Sequence, residues 1–347
     1  MVDFSFIIIN FNGLPYISEL IESFANIVTE DQNQDVHFGI YEVNNFTSIN
    51  NDNHKNNRDY AESYDKNWEA IIYDNNSTDG SIEYLNKISF NSENIKLIKS
   101  KINNGFCKGS NEAAKVASGK YLIFLNPDTK IKSLNLSLIK AYYEQKESLN
   151  KKVGVVGIKI INPDGSLQYS CRSFPTLARQ FYESFFLHKI FKKSKVFGSY
   201  FMTWWDHNHD MEVDWLTGSF MFINRELFLE NNGFDEDYFM YSEDTDLCFR
   251  LRKKGFKNFY FPKFEIIHFD SAIASRDMGA REAGIWKSRR LYFKKNYSEA
   301  HAKALSFIYF LGILNRILLF LIIYVFTFKP KFKEKFSNYI KAIKIYF

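Results

Sequence analysis

Cysteine is scarce in this 347-residue chain, which holds only Cys107, Cys171 and Cys248, an odd number with no metal-type spacing. That argues against a disulfide framework or a thiolate zinc site and fits a reducing cytoplasm. With 46% hydrophobic and 24% charged residues, one large α/β domain plus an appendage, or two small domains, can bury a core without such staples. No secretory leader is expected from the apolar start, Phe4 to Ile9, which is short and lacks a basic flank and a small-residue cleavage site. No internal repeat is evident. Surplus charge is absent from most of the chain. The formal net charge is +5, and the segment from Lys329 to Phe347 holds six lysines against the single acid Glu334, so the tail carries the whole excess. This excludes a broad nucleic-acid-binding face and points to a local basic anchor.

What is present is an alternation of apolar strands and helices. Residues 4–9 read as a parallel strand buried on both faces, and Asn10-Phe11-Asn12-Gly13 turns into a helix near Pro15–Ile27. Residues 44–67, rich in Asn, Asp, Ser and Lys, read as a solvated insertion. Strands are expected at Trp68–Tyr73, Ile95–Ile98 and Tyr121–Leu125, with helices through Leu85 and from the Asn103–Gly109 loop to about Ala117. Such an order implies a mostly parallel sheet, flanked by helices, with its chemistry at the strands' carboxyl ends. Farther on, Val153–Ile161 is a strand, Asn162-Pro163-Asp164-Gly165 a turn, Val213–Asn224 a strand broken by Gly218, Glu243–Lys254 a helix and Phe259–Ile267 a strand. Residues 175–210, aromatic and basic, show no assignable pattern.

Four constellations could carry chemistry. Asp74, after a strand, can accept hydrogen bonds from a nucleotide base or ribose; the alternative is an Asn/Asp/Gly turn with Ser81 capping the next helix. Asp128, in Asn126-Pro127-Asp128, can hold Mg²⁺ or Mn²⁺; the alternative is a strand-ending turn. Glu243, Asp244 and Asp246 open a helix, where a carboxylate can serve as general base. The helix dipole alone also favours acids there, and it would depress their pKa unless the site is dry. His268 could bind metal or diphosphate, or be structural. Arg172, Arg276 and Arg281 could contact phosphate or lie on the surface, and Lys108 and Gly105 sit in a loop suited to an anion.

Taken in order, IINFNG (8–13), YDNNSTDGS (73–81), NNGFCKGSN (103–111), FLNPDT (124–129), INPDGSLQYSCRSFP (161–175), VDWLTGSFMFINRELF (213–228), NNGFDEDYFMYSEDTDLCFRLRKKGF (231–256) and FPKFEIIHF (261–269) resemble glycosyltransferase family 2, particularly its rhamnosyltransferase-like branch. The resemblance covers about Phe4 to Tyr297. It implies a GT-A fold over residues 1–300, with a Rossmann-like nucleotide half (1–130) and an acceptor half (150–300). It implies inverting, metal-dependent transfer of a sugar from a nucleotide-diphosphate donor to a hydroxyl of a glycan or lipid-linked acceptor in cell-surface polysaccharide synthesis. Asp244 falls at the general base, with Glu243 its neighbour; Asp128 matches the metal-binding acid, with His268 a further ligand to Mg²⁺ or Mn²⁺. Donor contacts would come from Asn10, Asn12, Asp74, Asn76, Asn104, Gly105 and Asn126. The resemblance favours dTDP-L-rhamnose, while relatives with these motifs use UDP-hexose, UDP-GlcNAc or UDP-galactofuranose. Asn126 departs from the usual first acid of the metal motif. A nucleotidyltransferase would carry a glycine-rich basic loop after the first strand, which residues 10–13 lack. A non-catalytic nucleotide-sugar-binding module is disfavoured by the retained acids.

Residues 301–347 read as hydrophobic and basic C-terminal helices. The stretch 304–328 has the length of a membrane span, but Asn315-Arg316 divides it and basic groups flank both sides. An interfacial helix or shallow hairpin on an anionic membrane fits both facts. In the tail, Phe332, Phe336, Ile340, Ile343 and Phe347 form a stripe suited to lipid. The expected location is cytoplasmic, peripheral on the inner face of the cell membrane. The alternative is packing on the catalytic domain or on a second copy in a homo-oligomer.

Overall fold

The computed structural model describes residues 2–28, 67–149, 151–269 and 278–346. The 44–67 insertion, apart from Asn67, and Arg276 lie outside the described residues. The chain runs β1 (Phe4–Asn10), α1 (Leu14–Glu22), β2 (Ile27–Val28), β3 (Trp68–Asp74), α2 (Ser81–Phe90), β4 (Ile95–Lys99), α3 (Gly105–Val116) and β5 (Tyr121–Leu125). It continues with β6 (Thr129–Asn135), α4 (Leu136–Ser148), β7 (Val153–Ile161), β8 (Cys171–Arg172), α5 (Leu177–Ser184) and α6 (Leu187–Ile190). Then come β9 (Met211–Val213), β10 (Trp215–Leu216), β11 (Phe220–Asn224), α7 (Arg225–Glu230), α8 (Glu243–Lys253) and β12 (Lys257–His268). Three helices close the chain: α9 (Met278–Asn296), α10 (Glu299–Thr327) and α11 (Pro330–Tyr346).

The main sheet has the order β2-β6-β12-β7-β11-β5-β1-β3-β4, with β9 on β12. From β5 to β4 it is parallel, as expected. Beyond β5 it is mixed. Strand β11 leaves the site at Phe220 and so runs antiparallel to both β5 and β7, while β12 is parallel to β7 and antiparallel to β6. Every residue of β1, β3 and β5 is buried. Ile7, Ile9, Tyr73 and Phe124 join one core layer, whereas Phe6, Ile8, Ile72 and Ile123 join the layer on the other face. Burial on both faces explains the unbroken apolar runs, and each such side chain contributes about 1.5–3 kcal/mol of transfer energy.

Several expectations need correction. Helix α2 is not capped by Ser81. Gly80 holds the cap position at φ +91, a conformation glycine adopts freely, and Ser81 turns its backbone N–H to Asp79 Oδ1 at 3.1 Å. The 213–224 strand is three short strands, because the Thr217–Ser219 turn leaves the sheet. The 175–210 stretch contains α5 and α6 followed by turns. Asn315-Arg316 does not divide the apolar segment: α10 is one 29-residue helix. The Arg316 guanidinium lies over the Phe186 ring at 5.1 Å and the Tyr339 ring at 5.6 Å, so the charge is accommodated against aromatic faces. Phe332 and Phe336, read as lipid-facing, pack instead on Phe320 and Tyr324 of α10, making a helical hairpin. The first half of α10 packs on α5, with Gly312 seated against Ser184.

Candidate active site

Parallel pairing aligns Asn10 with Asp74 at the carboxyl ends of β1 and β3. Asp74 is fully buried, and its carboxylate accepts from Asn10 Nδ2 (2.8 Å), Ser77 N (2.8 Å) and Ser77 Oγ (2.7 Å). Asn12, at φ +52, accepts from the backbone N–H of Thr78 at 2.7 Å. Asp74 therefore braces the loop that a base or ribose would meet, and the turn alternative holds for much of its bonding. Asn76 is exposed in the left-handed region, and its neighbour Asn75 carries the link onward. Asn75 Nδ2 donates to the Gly105 carbonyl (3.1 Å), and Asn75 Oδ1 accepts from Asn104 N (3.0 Å). Gly105 has φ +77, and a Cβ there would meet the Phe239 carbonyl, so the start of α3 is pressed against the segment before Glu243.

Strand register brings the second group together. Leu125 pairs with Phe220, so Asn126 meets Ser219, whose carbonyl accepts from Asn126 N at 3.4 Å. Thr129 pairs with His268, which sets Asp128 beside that imidazole. Asp128 and His268 are both buried, and His268 Nε2 lies 3.3 Å from Asp128 Oδ1. His268 Nδ1 faces Gln168 Oε1 at 2.7 Å, because the Asn162–Gly165 turn folds Gln168 back along β7. With Nδ1–H donating to Gln168, Nε2 presents a lone pair, and Asn126 Nδ2 points at it from 3.4 Å. An imidazole lone pair and a carboxylate turned to one point repel each other, which a shared cation relieves. A carboxylate, an imidazole and phosphate oxygens form a donor set suited to Mn²⁺ or Mg²⁺. Among the described residues no cluster of three His, Cys, Asp or Glu could hold a metal alone, so phosphate oxygens or water would complete the shell.

The third group enters through the same turn. Gly218 N donates to Asp244 Oδ2 at 3.0 Å, while Ser219 Oγ lies 3.4 Å from His268 Nδ1. Asp244 Oδ1 accepts from Thr245 N at 2.6 Å. Tyr241 and Ser242 are both left-handed, at φ +71 and +66, and Ser242 gives α8 no side-chain cap. Strain of this kind persists where the surrounding structure enforces it, and here it aims Glu243 and Asp244 inward. Burial lifts the Glu243 carboxyl well above the carboxylate range, and the Asp244 charge pushes it further. Burial also raises Asp244, offset by the Gly218 and Thr245 N–H donors and by the Arg172 charge. The helix dipole's depressing effect is overcome by dryness. Burial thus raises both members of the pair, Glu243 more strongly, while the N–H donors and the Arg172 charge favour ionisation at Asp244.

The nominated residues thus fall into two groups at the carboxyl edge of the sheet, Asn10, Asn12, Asp74, Asn104 and Gly105 in one and Asn126, Asp128, His268 and Asp244 in the other, with Glu243 adjoining Asp244 in sequence and Asn76 in neither. Sequence reasoning missed Asn75, Ser77, Gln168 and the Gly218-Ser219 turn. Gln168 and Gly218 lie in the quoted motif blocks, but their roles depend on register.

Residues 52–197 match the family model for glycosyl transferase family 2. Rhamnosyltransferase WbbL of Escherichia coli K12 is 34% identical over 46% of this chain and 55% of its own length. The N-acetylglucosaminyl-diphospho-decaprenol L-rhamnosyltransferase of Mycobacterium tuberculosis H37Rv is 32% identical over 42% of this chain and 47% of its own. The chain therefore spans about half the length of these curated relatives. Among solved structures, the mannosyltransferase PcManGT from Pyrobaculum calidifontis, in complex with GDP-Man and Mn²⁺, superposes with a TM-score of 0.52 at 13% identity, covering 99% of this chain and 85% of that one. That likeness extends to the fold.

Proposed function

We propose that this chain, whose residues 52–197 match the glycosyl transferase family 2 model and which is 34% identical to a rhamnosyltransferase over 46% of its length, is an inverting, metal-dependent glycosyltransferase of that family's rhamnosyltransferase-like branch. Its donor would be a nucleotide-diphosphate sugar, dTDP-L-rhamnose first among candidates, and its acceptor a hydroxyl of a glycan or lipid-linked glycan in cell-surface polysaccharide synthesis. The observation that carries this reading is the Thr217–Ser219 turn, which touches the Asp244 carboxylate on one side and the His268–Asp128 pair on the other.

In the proposed reaction, Asp244 takes the proton from the acceptor hydroxyl as its oxygen bonds to the anomeric carbon. The bond from that carbon to the diphosphate breaks, and the leaving electron pair stays on the diphosphate. Asp128 and His268 would hold Mn²⁺ or Mg²⁺, which when bound neutralises charge on the leaving diphosphate. Gln168 keeps the His268 nitrogen turned to that position. Asn10, Asn12, Asn104 and Gly105 shape the nucleotide end around the loop that Asp74 braces. Burial favours the neutral form of Glu243, which would spare Asp244 a second negative neighbour.

We place the chain at the inner face of the membrane. Among the described residues one helix, Glu299–Thr327, is long and apolar enough to cross a bilayer. Because its first half packs on α5 and its second half pairs with α11, a peripheral seat fits better than a span. Leu318, Leu321, Ile322, Val325, Phe326 and Phe328 are exposed next to the exposed Lys329, Lys331, Lys333 and Lys335, which suits an anionic lipid surface. A thermal-shift panel of nucleotide sugars, each with and without Mn²⁺, tests the function. A ligand that binds only the folded chain raises its melting temperature, and the reading fails if none does.

A further inference from the structure

Among the described residues Arg172 has few polar partners for its charge. Its Nε donates to the Tyr169 carbonyl at 3.2 Å, and the guanidinium also reaches the Tyr200 hydroxyl. These are two acceptors for five N–H donors. Among the described residues no carboxylate pairs with it. Three rings hold it in place, with its guanidinium carbon 5.0 Å from the centre of Phe201, 5.2 Å from Trp215 and 5.8 Å from Tyr200. A half-buried arginine fixed on aromatic faces, with unused N–H donors, is arranged for a planar or tetrahedral oxyanion.

Its position selects which oxyanion. The β8–β10 pairing sets Arg172 opposite Trp215, and three residues beyond Trp215 the Gly218 N–H holds Asp244. The Arg172 charge reaches the Asp244 carboxyl, so the guanidinium lies on the base's side of the crevice. The donor diphosphate already has Asp128 and His268. The Tyr200 ring also meets Arg289, 5.5 Å from its centre, and Arg289 Nη1 donates to the Tyr309 hydroxyl of α10 at 2.8 Å. The subsite is therefore joined through two side chains to the apolar helix. We infer that Arg172 binds the phosphate of a lipid-linked acceptor, the lipid continuing along α10. This inference rests on the transferase reading and names its acceptor class.

The test is calorimetric titration of the full chain in EDTA, which removes metal-dependent diphosphate binding. The probes are farnesyl diphosphate, farnesol and inorganic pyrophosphate. Wild type should bind farnesyl diphosphate at least about tenfold more tightly than either other probe. R172Q should lose that tenfold while farnesol binding is unchanged, R172K should fall between, and D128A should match wild type. Farnesyl diphosphate binding no better than farnesol, an unaltered R172Q, or an equal loss in D128A would overturn the inference. Pyrophosphate binding as tightly as farnesyl diphosphate would overturn its lipid half. With Mn²⁺ restored, R172Q and R172K should still bind the nucleotide sugar, which verifies their folding. Loss of nucleotide-sugar binding in wild type, with farnesyl diphosphate binding intact, would sink the donor reading alone.

Discussion

The backbone N–H of Gly218 donates to Oδ2 of Asp244 at 3.0 Å, across 26 residues of sequence. The bond has two effects. It turns one carboxylate oxygen toward the turn that also reaches His268, and it stabilises the ionised form of an acid that burial would otherwise neutralise. Because the bond uses a main-chain donor, the Asp244 side chain is oriented by the fold of β10 and β11 rather than by a mobile neighbour.

Replacing Asp244 by asparagine keeps the shape and the Gly218 bond but removes the proton acceptor. Transfer should fall by at least about 100-fold, the scale of general-base catalysis, while nucleotide-sugar binding stays within about twofold. Radiolabelled sugar transfer and calorimetry check the two halves. Wild-type transfer should also decline as acid protonates Asp244, with a midpoint above the ordinary aspartate value of 3.8.

Asp128→Ala should abolish the Mn²⁺ dependence of donor binding. Gln168→Ala, which frees the His268 ring, should weaken Mn²⁺ affinity by about 10–100-fold, the usual effect of losing an orienting partner. Electron paramagnetic resonance of free Mn²⁺ against added donor reads both. Equal Mn²⁺ affinity in the Gln168 variant would mean that the imidazole needs no such partner.

Glu243 gives a stability signature with a definite sign. Below about pH 4.5 its carboxyl is protonated in both folded and unfolded chains and contributes nothing. As pH rises, the unfolded chain releases its proton while the buried group keeps it, so stability falls until the raised folded pKa is passed. Glu243→Gln should therefore melt about 1–2 °C above wild type at pH 8, the shift of roughly 1 kcal/mol in a chain this size. At pH 4 the two should coincide. Calorimetric scans at both pH values decide it.

The tail predicts salt-sensitive lipid binding. Changing Lys331, Lys333 and Lys335 to glutamine should weaken binding to phosphatidylserine vesicles by about 100-fold or more, at ~1 kcal/mol per lysine near the surface. Binding of wild type should drop steeply as salt rises. Cosedimentation with anionic and neutral vesicles measures it, and equal binding to both would exclude the electrostatic anchor.

Much of this architecture could be read from residue order. The strands Tyr121–Leu125 and Val153–Ile161 matched to the residue, because both-face burial leaves an apolar run with sharp polar ends. Asp128, Asp244 and His268 were legible from their motif blocks. Their mutual position was not, since it depends on Thr129 pairing with His268 and on Leu125 pairing with Phe220, contacts spanning roughly a hundred residues or more. Gly218 looked like a strand breaker because a backbone donor leaves no trace in side-chain chemistry. The 175–210 stretch stayed opaque for a different reason. Its aromatics pack on one another in short helices and turns, as Tyr182 does on Phe197, so neither helical nor strand period develops. Arg316 misled through its cost in lipid, which the Phe186 and Tyr339 rings reduce.

The central claim is a single crevice in which Asp128 and His268 bind a metal–diphosphate sugar. Calorimetric titration of dTDP-L-rhamnose and the UDP sugars into the full chain, with Mn²⁺ and then with EDTA, addresses it directly. The account predicts saturable one-to-one binding of at least one of these donors that requires Mn²⁺ and disappears in Asp128→Ala. Binding of every donor unchanged by EDTA and by Asp128→Ala, or no binding of any under either condition, would contradict it.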